Sequence, residues 1–240
     1  MCRMIIAAGE FDISLLLDGF IKMAEGKNEK HERNQNTLYN HPDGWGIAYL
    51  AGVRFRIYKK EMPVWEDAAF GNFRNIKTNM MILHARRSSV SKRAYENTQP
   101  FYRKFPQNEY VFCHNGTVSQ SLNFSPEFYP IGETDSEILF FNLLSSLAKD
   151  GSAGLLQNLF LLENYSAANI ILADKNSAYI AVLYKEDKQY YTMKIYSADN
   201  CLIISSEILP GFDNEEWVPL TNKSIVELNF ISLEYSIKEI

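Results

Sequence analysis

The sequence predicts an α+β fold, built as one domain over residues 1–240. Three observations carry this. Apolar stretches of strand length arrive in hairpin-like pairs, helical periodicities arrive in separate blocks, and the two do not alternate as a parallel βαβ fold would require. No Pro/Gly-rich linker, internal repeat or low-complexity tract divides the chain. Hydrophobic residues make up 46% and charged residues 22%, enough to bury a substantial core.

The elements follow in order. Met4 to Ala8 is a short apolar run readable as a buried strand. Ile13–Ala24 repeats Leu16, Phe20 and Met23 at helical spacing and predicts an amphipathic helix. Gly26–Pro42 is polar and reads as a long loop. GWGIAYL and VRFRIYK flank Ala51-Gly52 as a hairpin, because Val53, Phe55 and Ile57 alternate with Arg54, Arg56 and Tyr58. MMILHA and YVFCH are further strands. Thr134-Asp135-Ser136-Glu137 is a capping-box pattern before ILFFNLLSSLA, so a helix starts there, and a second helix is expected across Leu155–Tyr165. ANIILAD, AYIAVLY, YYTMKIY and LIISSE then read as a meander.

Several function classes are disfavoured. The net charge of −5 argues against a nucleic-acid binder. The numerous Tyr and Phe have no clustered basic residues between them and read as core and sheet residues. No apolar run reaches the ~20 residues that span a bilayer, and no signal peptide is evident. Cys2, Cys113 and Cys201 are odd in number and widely spaced, which predicts free thiols in a reducing cytoplasm. His31, His41, His84 and His114 with Cys113 match no zinc spacing, and there is no phosphate-binding or dinucleotide fingerprint. The expectation is an enzyme with no metal and no cofactor.

Four places could carry chemistry. Cys2 stands directly behind Met1. Removal of Met1, usual before a small second residue, would set its thiol beside an α-amine with a pKa of about 7.7–8.0, a base able to take the thiol proton. The bland alternative is a small hydrophobe at a variable position. Asn115-Gly116 in FCHNGTV is first a hairpin-turn signal. It could equally place a side-chain amide and a backbone N–H at a developing oxyanion. Arg86 and Arg87 follow the MMILHA strand as a charged terminus, or as a guanidinium that clasps a carboxylate. Asp135 suits the first turn of a helix, or would receive an ammonium group.

Taken in order, these residues resemble the class II glutamine amidotransferases, which are N-terminal-nucleophile hydrolases. The matching stretches are MCR, HPDGWGIAYL (His41–Leu50), LHARRSS (from His84), NTQPF (Asn97–Phe101), FCHNGTV (Phe112–Val118), GETDSE (Gly132–Glu137) and, more weakly, SSEIL (Ser205–Leu209). The short stand-alone members are the nearest in pattern. In NTQPF, Gln99 stands where such members often carry His, and the segment after Arg86 lacks their usual glycine.

The resemblance implies a four-layer αββα sandwich. It implies Cys2 as nucleophile with its own amine as base, and an oxyanion hole from Asn115 and the Gly116 N–H. Arg86 would take the substrate α-carboxylate and Asp135 the α-ammonium, with His84 and Thr134 of the same motifs beside them. The implied reaction releases ammonia from glutamine through a γ-glutamyl thioester, with an ammonia-accepting partner protein and neither nucleic acid nor membrane involved. The rivals are a γ-glutamyl peptide or amine hydrolase with the same site, and a catalytically idle regulatory subunit. Gly26–Pro42 and the Arg86–Glu96 stretch are expected to form a mobile lid.

Overall fold

A computed structural model describes residues 1–88, 91–105 and 107–240. The chain begins with β1 (Arg3–Gly9) and α1 (Ile13–Ala24), followed by the hairpin β2 (Trp45–Ala51) and β3 (Arg54–Lys60). After two short 3-10 turns come β4 (Met80–Ala85), β5 (Phe101–Lys104) and β6 (Glu109–Val118). The helical segment α2 (Asp135–Phe160) leads to β7 (Tyr165–Ala173) and β8 (Ser177–Val182). The one-turn α3 (Lys188–Tyr191) precedes β9 (Lys194–Ala198) and β10 (Cys201–Ser205), and β11 (Trp217–Pro219), β12 (Ser224–Asn229) and β13 (Tyr235–Glu239) complete the order.

Two antiparallel sheets form, with strand orders β11-β9-β10-β1-β4-β2-β3 and β13-β12-β8-β7-β6-β5. Successive side chains on a strand face opposite ways, so β1 divides its residues between two cores. Met4, Ile6 and Ala8 pack with Val111, Cys113 and Ile171 of the other sheet. Ile5 and Ala7 pack with Leu16 and Phe20 of α1. On the far side of the second sheet, Phe112 and Ile170 meet Leu139 and Phe140 of α2. The layers are therefore helix, sheet, sheet, helix, the expected αββα sandwich. Strands covered on both faces read as nearly unbroken apolar runs, which is why RMIIAAG and MMILHA are apolar apart from Arg3 and His84.

Four local expectations are corrected. The two helices expected after Thr134 run on as one segment broken at Gly151, whose φ of 63° and ψ of −151° are non-helical. The second half stops at Phe160, and Tyr165 already belongs to β7. Tyr190 and Tyr191 of the expected strand YYTMKIY form the turn α3. The hairpin turn lies one residue later, at Gly52-Val53, with Ala51 still in β2. Asn115-Gly116 is no hairpin turn: it sits inside β6, paired residue for residue with Asn169 and Ala168 of β7.

The capping box forms in half. Thr134 Oγ1 accepts from the Glu137 N–H at 3.3 Å. The Glu137 carboxylate reaches past the cap to the N–H groups of Ile131 and Gly132.

Candidate active site

The site lies where four elements end together. Cys2 immediately precedes β1, and Arg86 follows β4, the neighbour of β1 in register Arg3↔Ala85. Asn115 and Gly116 come from β6 of the opposite sheet, and Thr134 to Ser136 from the start of α2. Cys2, Arg86, Arg87, Gly116, Thr134 and Asp135 line one cleft of about 430 Å³.

Asn115 joins the two sheets at this point. Its Oδ1 accepts from the Cys2 N–H at 2.7 Å. Its Nδ2 is buried without a hydrogen-bond partner among the described residues. A buried donor left unpaired costs roughly 1–3 kcal/mol, so it marks a place where a ligand acceptor is missing.

The Gly116 N–H is placed by strand alternation. Backbone donors two residues apart on a strand point the same way. The His114 N–H is taken by Gln99 Oε1 at 2.6 Å and the Val118 N–H by Asp135 Oδ2 at 2.7 Å. Neither points at β7, and the Ala168 N–H opposite Gly116 is used by Leu183. β5 pairs only as far as Phe112, so the Gly116 N–H faces the open side of β6, between those two partnered groups. A side chain here is excluded: a Cβ at Gly116, with φ of 151°, would lie 1.8 Å from the Ala167 carbonyl oxygen.

His114 ties this strand to α2. Its Nδ1 lies 2.8 Å from Ser136 Oγ and its Nε2 3.3 Å from the Ala167 carbonyl. The carbonyl can only accept, so Nε2 carries the proton and Nδ1 accepts from Ser136. Burial lowers the His114 pKa and keeps the ring neutral.

The charged groups are held as follows. Arg86 donates to the Asp43 carbonyl at 3.2 Å, to Ser91 Oγ at 2.7 Å and to the Lys92 carbonyl at 3.1 Å. Arg87 donates to the Asn40 carbonyl at 2.7 Å and lies over the Tyr39 ring at 4.0 Å. Asp135 spends one carboxylate oxygen on Val118, and the other has no hydrogen-bond partner among the described residues. The Met1 amino group donates to the Arg87 carbonyl, and the Met1 sulfur accepts from Tyr191 Oη. Burial, then the nearby Arg33, Arg87 and Arg86, lower the pKa of that amine, against an opposing effect of Cys2.

His84 is a correction. It is fully buried on β4, registered between Met4 and Gly46, and does not line the cleft. Burial pushes its pKa down to about 3, so the ring is neutral. It stands one residue short of the β4 terminus, and strand alternation turns it into the interior. Asp43 and Glu133 contribute to the site without having been singled out, and Gln99 of NTQPF contributes by accepting from the His114 N–H. Asp43 accepts from the Ser88 N–H at 2.8 Å and Glu133 from the Lys92 N–H at 2.6 Å. The HPDG, NTQPF and GETD stretches contain all three, which was the available signal.

The lid expectation divides in two. Ser89 and Val90 of the Arg86–Glu96 stretch lie outside the described residues. Gly26–Pro42 is fastened down: Asn28 donates to the Ile208 carbonyl at 2.7 Å, Glu29 pairs with Lys194 at 2.7 Å, and His31 and His41 are buried.

Known proteins share this architecture. Residues 27–176 match the family model of the glutamine amidotransferases class-II, a span that includes Arg86, Asn115, Gly116 and Asp135 and starts after Cys2. The Methanocaldococcus jannaschii protein MJ1515 is 33% identical over 165 residues, 65% of this chain and 46% of its own length. The chain thus spans less than half of that relative. The glutamine phosphoribosylpyrophosphate amidotransferase of B. subtilis superposes over 100% of this chain and 49% of its own, with a TM-score of 0.70 at 14% identity. A glutamine aminotransferase class-II domain protein of Silicibacter pomeroyi covers 99% of both chains, with a TM-score of 0.63 at 16% identity. With a family model matching residues 27–176 on a sandwich of this kind, the chain belongs to the class II glutamine amidotransferases.

Proposed function

We propose that the protein hydrolyses the side-chain amide of glutamine, with Cys2 as nucleophile after removal of Met1. The observation that carries this reading is the Asn115 side chain. One end of it accepts from the Cys2 nitrogen at 2.7 Å, and the other is a buried, unpartnered donor. Once Met1 is removed, the same Oδ1 would hold the free Cys2 amine.

The steps follow from these positions. The amine takes the thiol proton, and Cys2 Sγ attacks the amide carbon. Asn115 Nδ2 and the Gly116 N–H receive the oxyanion, a contribution of about 2.7–4 kcal/mol per donor. The carbon–nitrogen bond then breaks, ammonia departs with the proton held by the amine, and water cleaves the γ-glutamyl thioester. Asp135, with its unpartnered oxygen, would receive the substrate ammonium. Arg86 would take the carboxylate in place of its present Ser91 and Lys92 partners, and Thr134, the residue before Asp135, would border the substrate ammonium.

Ammonia released here would pass to a partner protein in the cytoplasm. A γ-glutamyl amide with a larger leaving group is the second reading, favoured by the cleft volume of about 430 Å³, within the range of about 300–1,000 Å³ that accommodates whole small-molecule ligands. Ammonia and amine release measured across glutamine and a panel of γ-glutamyl amides separates the two. Release from none of them by Met1-free protein would leave an idle subunit as the account.

A further inference from the structure

Cys2 is held at both ends of its own residue. Its N–H is taken by Asn115, and its carbonyl oxygen lies 3.1 Å from Tyr190 Oη, a side chain with no exposed surface. Tyr190 Oη is also 3.2 Å from His41 Nε2, and His41 Nδ1 is 3.2 Å from the Ala24 carbonyl. The result is a buried chain with a carbonyl at each end: Ala24, His41, Tyr190, Cys2.

Proton counting decides how this chain works. Both end carbonyls can only accept, so filling all three contacts needs a proton on Nδ1, one on Nε2 and one on Oη. A neutral histidine and a tyrosine supply two. Ala24 already accepts from the His41 backbone N–H at 2.8 Å, so its carbonyl can spare the ring contact. With the proton on His41 Nε2, that nitrogen donates to Tyr190, and the tyrosine proton must go to Cys2. With the proton on Nδ1 instead, Nε2 competes with Cys2 for the tyrosine proton.

The surroundings of Tyr190 fix the ring firmly enough for this to matter. Arg3, the residue after Cys2, lies over it at 3.8 Å and donates to its backbone carbonyl at 2.7 Å. Arg3 is itself paired with the buried Glu207 at 2.8 Å. His31 meets the ring edge-on at 4.7 Å. Glu32 accepts the N–H groups of Gln189 and Tyr190 at 2.8 and 3.0 Å.

We propose that Tyr190 and His41 are positioning residues for the nucleophile: Tyr190 donates to the Cys2 carbonyl, and the His41 tautomer sets whether that proton is available. The inference rests on the amide-hydrolase reading above. A hydrogen bond on the Cys2 carbonyl fixes the residue's peptide plane, and with it the thiol and the amine. It also draws charge from the neighbouring amine and makes it less basic.

The test compares Met1-free wild type, Tyr190→Phe and His41→Gln. Ammonia release from glutamine gives kcat, KM and their pH profile, and alkylation by a diazo-ketone analogue of glutamine reads Cys2 reactivity directly. Tyr190→Phe is expected to lower kcat about tenfold with KM within about twofold. It should slow alkylation in parallel and move the acid limb of kcat/KM to higher pH. His41→Gln should lower kcat by about threefold with the same split. Should Tyr190→Phe not fold, as judged by circular dichroism, the His41→Gln split carries the test alone. Unchanged kcat in an active enzyme overturns the proposal, as does lost kcat with an unmoved pH limb and unslowed alkylation. Wild type that neither hydrolyses nor alkylates defeats the underlying amide-hydrolase reading, and the proposal with it.

Discussion

The segments Gly26–Pro42 and Arg86–Glu96 are both polar, and they are held in different ways. The first is partly exposed but fastens its polar groups to the body of the fold. Glu29 reaches Lys194 and the Ile208 N–H, Glu32 caps α3, and His31 and His41 are buried against Tyr190. The described part of the second is held from its rim by side chains that reach solvent, Glu133 on the Lys92 N–H and Arg93 on Asp43, with half the Arg93 side chain exposed. Segment polarity therefore does not predict freedom to move. What decides it is whether the polar atoms find partners inside the fold or at its edge. On the proposed reading, Gly26–Pro42 and the neighbouring strands would form a fixed floor for Cys2, while the Arg86 side would form the substrate rim.

This division predicts that floor variants change kcat and rim variants change KM. The largest expected effect is on the floor. Asn115→Ala should lower kcat by about 10²–10³-fold, a barrier increase of about 2.7–4 kcal/mol, and steady-state ammonia release measures it. Full activity in that variant would remove the oxyanion assignment. Next is the rim, where Arg86→Ala should raise the KM for glutamine about tenfold or more with little change in kcat. A fall in kcat alone would move Arg86 from the rim to the floor.

A third prediction concerns pH and the buried floor. His84 is neutral in the fold, with a pKa of about 3 against 6.5 in its ordinary state. The unfolded chain therefore binds the proton first. The stabilising contribution is full above about pH 6.5 and is lost as pH falls toward 3, by about 2 kcal/mol at pH 5. Urea unfolding at pH 7 and pH 5 reads this, and His84→Gln should flatten the dependence. An equal slope in the variant would mean that His84 charges freely in the folded state.

The smallest effects test the two segments against each other. Glu32→Ala removes a carboxylate that accepts two N–H groups of α3 and should cost about 1 kcal/mol of stability. Glu133→Ala on the rim should stay within about 0.5 kcal/mol. Thermal unfolding of both variants checks the contrast, and equal losses would erase it.

How far the sequence could be read varies by element for physical reasons. β1, α1 and β4 were legible because their burial follows from local periodicity. α3 was not: YYTMKIY is aromatic and β-prone, yet its first two residues close a helical turn whose Gln189 and Tyr190 N–H groups are accepted by Glu32, 157 and 158 residues away. Asn-Gly in β6 reads as a turn by composition, yet it is a strand because Gly116 allows the backbone to lie against Ala167. β13 is exposed along its whole length and carries almost no burial signal. The site residues were legible as motifs, since two strand ends, the interior of β6 and a helix start gather Cys2, Arg86, Asn115, Gly116, Thr134 and Asp135. His84 was misplaced because a strand terminus cannot be fixed to one residue from periodicity. The Tyr190–His41 chain depends on contacts across 149 residues and has no local trace.

Intact-protein mass spectrometry, before and after exposure to a diazo-ketone analogue of glutamine, tests the central claim most directly. The account predicts a mass lacking Met1 and a single adduct that Cys2→Ala does not form. A protein that retains Met1 and takes up no adduct would contradict it.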